Sequence, residues 1–428
     1  MTHRRISVLA ATALAVLSTL LVADPAGADP ADYHLTWYDT AEGTDQYGYT
    51  WRYQDVIDRI SSSEVGLDNL GEITPASGTV ELSCSSWLPS NATSWCFKPE
   101  DNWGDEWVPQ GITTSYDGNG GSANKIFVTW YDGCSTDISD VDYQGCQGGP
   151  TEAQEAEKGV QVTIYTPGGG YRNVLLVEPF FNSSDNPSFH ATHMHAGGVA
   201  LYGNFLYVAD TTHGMRVFDT RQIFDLNETK NSAHPYNASP TQVGRHSNQW
   251  YGHGYRWLWP AVGEWQFADR LTADGTNCLG AGNKMKFSSL SVDRATNNLV
   301  AAEYCPEPEP GENPPKGRVA RWQLGSTTTA SSGLATGWAW DGSTISLPKD
   351  HVQGVVSQGS TFYVNTSNGQ SPGTLWKYDL VGSQLTNERS TPAAVGCEDL
   401  SFDTSGQKVW SLSEYYGRRA IYSVPASF

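Results

Sequence analysis

One three-part unit recurs five times along the chain, and it limits the fold more than any other feature. Each copy starts with a small or polar head and an apolar residue. An apolar strand ending in a polar residue follows, then glycine and a third strand. The heads are Gln110-Gly111-Ile112, Gly197-Gly198-Val199, Ser288-Ser289-Leu290, Gln353-Gly354-Val355 and Glu398-Asp399-Leu400. The second strands span 126–131, 205–210, 299–303, 361–366 and 409–414, and the third strands 159–165, 214–219, 317–322, 373–378 and 417–422.

Units of this kind, completed by a fourth strand and arranged about an axis, make a β-propeller. The expected fold is therefore all-β, a propeller of five blades. Head-to-head steps of 87, 91, 65 and 45 residues leave room for divergent blades in the first two intervals, so six or seven blades are also compatible. The last copy has only Val424 to Phe428 after its third strand. Its fourth strand must come from the N-terminal part, with Tyr33–Tyr38 or Thr79–Ser83 as candidates, which closes the ring and removes free sheet edges. The expected layout is a 1–28 leader, a 29–106 segment holding the closing strand and a short helix over Tyr53–Ser62, and blades over 107–428. The connections 132–158, 224–245 and 305–316 are long enough to be functional or mobile.

His3-Arg4-Arg5, the apolar stretch from Ile6 to Ala23 and Ala26-Gly27-Ala28 read as an export signal, through the general secretory route because Ser7 interrupts the twin-arginine pattern. Seven cysteines suit an oxidising compartment, with Cys84–Cys96, Cys134–Cys146 and Cys278–Cys305 as expected bridges and Cys397 as a buried, inert thiol. A net charge of −20 opposes nucleic acid and anionic membranes. The expectation is a secreted monomer that binds neither.

The chain resembles uncharacterised secreted bacterial β-propeller proteins over roughly 107–424. The resemblance lies in His195-Ala196-Gly197-Gly198-Val199, Leu206-Tyr207-Val208-Ala209-Asp210-Thr211, Arg216-Val217-Phe218-Asp219, and Leu412-Ser413-Glu414-Tyr415 with Gly417-Arg418-Arg419. It implies secretion and a propeller, and it brings no reaction and no catalytic residues.

In a blade the first strand lies nearest the axis and the second runs antiparallel to it, so first-strand starts and second-strand ends share one mouth. That gathers Gln110, His195, Ser288, His351, Gln353, Glu398 and Asp399 with Tyr131, Asp210, Glu303, Thr366 and Glu414. Asp210 and Asp399 read as structural carboxylates. Glu303, Glu398, Glu414 and His195 are the catalytic candidates, because converging carboxylates with different burial allow an acid and a base to coexist. Tyr131, Arg256, Trp257, Trp259 and His351 are the candidate substrate contacts, since aromatic faces suit sugar rings. Gln110, Ser288 and Gln353 offer oxygen ligands for a calcium ion in the central channel, and His193 joins His190 and His195 in a cluster suited to a transition metal. Gly369-Gln370-Ser371-Pro372-Gly373 matches a nucleophile elbow, but no helix follows it and it reads as a turn. The leading expectation is a secreted glycoside hydrolase or polysaccharide lyase acting on a polysaccharide. In the lyase version His195 or Tyr131 takes the proton and Arg256 offsets an acidic sugar's charge. A non-catalytic extracellular binding or cell-envelope scaffold is the second reading, and a metal-dependent redox propeller the third.

Overall fold

A computed structural model describes residues 33–76, 84, 87–104, 106–116, 125–133, 158–211, 213–267, 285–305, 317–325, 333–339 and 344–428. The expected leader, the Cys134–Cys146 pair and Thr79–Ser83 lie outside these residues. Strands are the main secondary structure of the described residues, and five four-stranded antiparallel units account for most of those strands. Blade one is Trp107–Thr114, Ile126–Asp132, Val160–Thr166 and Gly170–Phe181. Blade two is Val199–Tyr202, Phe205–Asp210, Gly214–Asp219 and, after an insertion, Trp257–Gln266. Blade three is Ser289–Asp293, Asn298–Ala302, Arg318–Leu324 and Leu334–Ala339, and blade four is Val352–Gln358, Thr361–Asn368, Ser371–Val381 and Gln384–Val395. Blade five is Ser401–Asp403, Lys408–Ser413 and Ala420–Pro425, completed by the N-terminal strand Thr93–Cys96. The first strands touch one another in ring order, and blade five returns to blade one. This is a β-propeller.

The closing strand pairs Cys96 with Ala420 and Thr93 with Ser423. N-terminal closure holds, but the strand is not one of the two expected. Thr36–Tyr38 instead pairs with Glu264–Gln266 and widens the outer edge of blade two. The Cys84–Cys96 disulfide anchors the closing strand. Cys305 is also disulfide-bonded, and its expected partner Cys278 lies outside the described residues. Cys397 is a buried free thiol, as expected.

The heads explain how the ring closes at its axis. Their second residues are Gly111, Gly198, Ser289, Gly354 and Asp399. A Cβ on Gly198 would meet the backbone of Ser289 at 2.5 Å, and one on Gly354 would meet that of Asp399 at 2.8 Å. Small residues are required because the five strands converge there. Asp399 occupies the space they leave and is fully buried. Its Oδ2 accepts the N–H groups of Ile112 (3.2 Å) and Val199 (3.1 Å), and its Oδ1 accepts the Ser289 hydroxyl (2.8 Å). Ser289 Oγ in turn accepts the Val355 N–H at 3.0 Å. One carboxylate therefore joins the first strands of all five blades, and the axis is filled at this level by protein.

The largest apolar cluster spans blades one to three and the helix Tyr53–Ser63, which buries Val56, Ile57 and Ile60. Asp55 accepts the Arg52 N–H at 3.3 Å and fixes the helix start. The insertion in blade two ends in a strand with two roles. Leu258–Pro260 runs parallel to Leu175–Val177 of blade one, and the residues after Ala261 pair antiparallel with blade two's third strand. Blades one and two are welded at their outer edges.

Candidate functional site

The mouth lies on the side of Asp399 from which the heads enter. Glu398 and Glu414 meet there. Cys397 bridges Ser413, the Glu398 N–H donates to Leu412 O (3.1 Å), and the Glu414 N–H donates to Gly396 O (3.0 Å). That register makes the two glutamates diagonal neighbours on one face, with backbones about 7 Å apart. Glu398 is buried and Glu414 half-buried. Gln110 of blade one donates its amide to Glu414 Oε2 at 2.9 Å, so the site spans the blade one–five junction. The Tyr415 hydroxyl is pushed up to about 12 by burial, with Glu414 and Glu398 adding to the shift. The Cys397 thiol is raised mainly by burial, with Glu398 and Glu414 adding to the shift.

Two equivalent pairs line other parts of the rim. His195 stacks against Tyr131 with ring centroids 4.7 Å apart, and His351 meets Tyr304 edge-on at 6.0 Å. Each histidine stands two residues before its head; Tyr131 is the penultimate residue of blade one's second strand, and Tyr304 lies two residues beyond the end of blade three's. Trp103 and Tyr416 form an exposed edge-to-face pair at 5.1 Å beside Glu414, with 56% and 54% of their surfaces open. Gly417 allows this contact, since a Cβ there would lie 2.5 Å from the Trp103 ring.

Other expected residues are placed elsewhere. Glu303 is buried and bonded twice to Arg318 (Nε 2.7 Å, Nη2 2.8 Å), and it also accepts the N–H groups of Arg318 and Lys286. Its carboxylate is committed to holding blade three. Trp259 is fully buried with its indole N–H on Asp219 O, so a ligand cannot reach it. Arg256 pairs with Asp225 along the outer edge of blade one, and Trp257 donates to Asp68 at 2.8 Å. Neither is on the mouth. Trp257 and Trp259 lie instead in the strand Trp257–Gln266, buried between blades one and two.

The histidine cluster does not assemble. The strand Pro187–Ala191 ends before His193, so alternation does not align His193 with His195. His190 turns away to Phe180 and Glu42. Gln110, Ser288 and Gln353 stand at the heads of blades one, three and four, and the Gln110 amide donates to Pro109 O and Glu414. Among the described residues, Asp68, Asp225 and Glu228 are the set of three ligating side chains that converge, and Arg256 and Trp257 already bond two of them. Asp210 lies in a buried cluster with His213 and Arg216, which also pairs with Glu178 and Glu264.

Tyr415, and Tyr416, which pairs with Trp103, are site residues that the sequence reading does not single out. The signal was present in Glu414-Tyr415-Tyr416-Gly417, where two aromatics directly follow a mouth carboxylate.

No family model and no curated protein matches the chain. Among solved structures it is similar to a luciferin-regenerating enzyme (10% identity, 74% of this chain and 76% of that one, TM-score 0.29). It is similar to a glucose dehydrogenase (10%, 74% and 81%, 0.28) and to the β-propeller domain of Myceliophteria thermophila Cps50 (Swd1) (8%, 78% and 67%, 0.25). These neighbours include enzymes as well as a propeller domain, at scores that carry no argument about function. The fold rests on the strand pairing of the chain itself.

Proposed function

We propose that the chain is a secreted glycan hydrolase whose working pair is Glu398 and Glu414. The observation that supports this reading most is the backbone register that brings Glu398 and Glu414 together, with the exposed Trp103–Tyr416 pair beginning two residues after Glu414. Two carboxylates across a bond, with an aromatic platform beside them, are what glycoside hydrolysis needs. Glu414, more open and oriented by Gln110, is positioned to activate water or attack the sugar. Glu398 delivers the proton to the leaving oxygen. The lyase version loses support because Arg256, its charge partner, is bound to Asp225 away from the mouth. Export fits the Cys84–Cys96 disulfide, and no helix among the described residues is long and apolar enough to cross a membrane.

The test is incubation with a panel of polysaccharides, read by new reducing ends and by ultraviolet absorbance of unsaturated uronates. Reducing ends without absorbance are expected. Glu398→Gln and Glu414→Gln should each lower turnover by at least ~100-fold at unchanged melting temperature, and the double variant should lose little more than either single one. Glu303→Gln should instead lower stability by about 3 kcal/mol, because it breaks a buried ion pair. Full turnover in both mouth variants would reject the carboxylate mechanism, and an inactive panel would favour the binding scaffold.

A further inference from the structure

A cleft of about 320 Å³ lies outside the mouth, lined in part by Lys98, Tyr171, Arg172, Tyr255, Arg256 and Trp257. Three cations on one small cavity are unexpected in a chain with a net charge of −20. Their arrangement is specific. Both guanidinium groups lie over the Trp257 ring, Arg256 at 4.1 Å and Arg172 at 4.8 Å from its centroid. Trp257 therefore holds the two arginines in place, and its ring is not left for a sugar.

Arg256 is compensated by Asp225. Arg172 is not: its Nε donates to Thr74 O at 2.9 Å and its Nη2 to Pro75 O at 3.3 Å, and among the described residues no carboxylate pairs with it. Partial burial and the neighbouring Arg256 both weaken its hold on its proton. Lys98 likewise has no ion pair among the described residues, and the carboxylate of Asp101 nearby is bonded to the Tyr171 hydroxyl. Arg172 thus brings to the cleft a positive charge without a fixed counterion, and Lys98, whose charge acts on Asp101, adds a second cation beside it.

We infer that this cleft binds a carboxylate-bearing sugar residue, so that the glycan proposed for the mouth is a uronate-containing one. The inference rests on the glycan reading and names its substrate class. A guanidinium group matches a carboxylate in charge and donor geometry. Continuity supports the link: the short helix Pro99–Asn102 begins just after Lys98 and ends just before Trp103 of the mouth platform. Four helical residues span about 6 Å, roughly one sugar unit.

The experiment is calorimetric titration of the mature protein with tetragalacturonate, with cellotetraose as the neutral counterpart and a sulfated tetrasaccharide as the competing anion. Tetragalacturonate should bind at least tenfold more tightly than cellotetraose. Arg172→Met and, separately, the milder Lys98→Ala should each weaken it about tenfold while keeping the parental melting temperature. Equal affinity for the acidic and neutral oligosaccharides, or parental affinity in both variants, would overturn the inference. Tighter binding of the sulfated ligand than of the uronate would overturn the carboxylate assignment. Failure of the mouth is separable, because uronate binding without hydrolysis rejects only the catalytic reading, and hydrolysis without uronate preference rejects only the cleft.

Discussion

Asp399 shows how one residue governs a closed ring. Burial raises its carboxyl well above the usual range, against the pull of the donors from Val199, Ser289, Ile112 and Leu400. The unfolded chain ionises near the ordinary value of 3.8 while the folded chain still holds its proton, so stability falls as pH rises from there through the folded value. Asp399→Asn removes this dependence. At pH 4 the wild type should be more stable by about 1–3 kcal/mol, because the variant's amide nitrogen carries two hydrogens where the protonated carboxyl has one, and the Ser289 hydroxyl accepts only one of them. The difference should narrow toward pH 8, as measured by urea unfolding across that range; a constant difference would show that Asp399 is ionised throughout. The sequence disclosed part of this role. A small residue recurs at the second head position in four copies and is replaced by Asp in the fifth, and only the geometry reveals that the exception fills the space left by the rule.

At the scale of elements, the first three strands of each blade were legible because alternation, terminal polar residues and glycine recur in order. The closing strand was not. Thr93–Cys96 is four residues long, carries no repeat of its own, and finds its partner more than 300 residues away in Ala420–Ser423. Its mark is Trp95, which stacks on Trp410 of blade five at 5.3 Å and reaches Tyr165 of blade one at 5.7 Å. Trp95→Ala should therefore cost about 2–4 kcal/mol, somewhat less than a fully buried tryptophan because Trp95 is half-buried. Thermal unfolding would measure it, and a loss below about 0.5 kcal/mol would mean that the backbone pairing and the Cys84–Cys96 bridge close the ring without it. The mouth glutamates were legible for the same reason as the blades: strand ends place them. The cationic cleft was hidden because Lys98, Arg172 and Arg256 come from three separate segments, and no spacing in sequence joins them.

For the whole molecule, the question is whether five blades behave as one. Linear repeat arrays lose terminal units first, since each repeat is held only by its neighbours. Here the blades share one tie, and three of the five junctions have a further tie of their own. Asp399 joins all five first strands, Gln110 bonds Glu414 across blades one and five, and the Ser357 hydroxyl donates to Asp293 at 2.7 Å across blades four and three. Blades one and two share the strand Trp257–Gln266. A ring tied in this way has no terminal unit to fray, so urea should unfold it in one transition, with far-ultraviolet circular dichroism and tryptophan fluorescence giving the same midpoint. Opening the ring restores an end. In the variant combining Cys84→Ser with Trp95→Ala, fluorescence should change at lower urea than the strand signal, because Trp410 in blade five is exposed first while the welded pair of blades one and two persists. Two separated transitions in the wild type, or coincident ones in the opened variant, would show that neighbouring blades carry the cooperativity and that closure adds little to it.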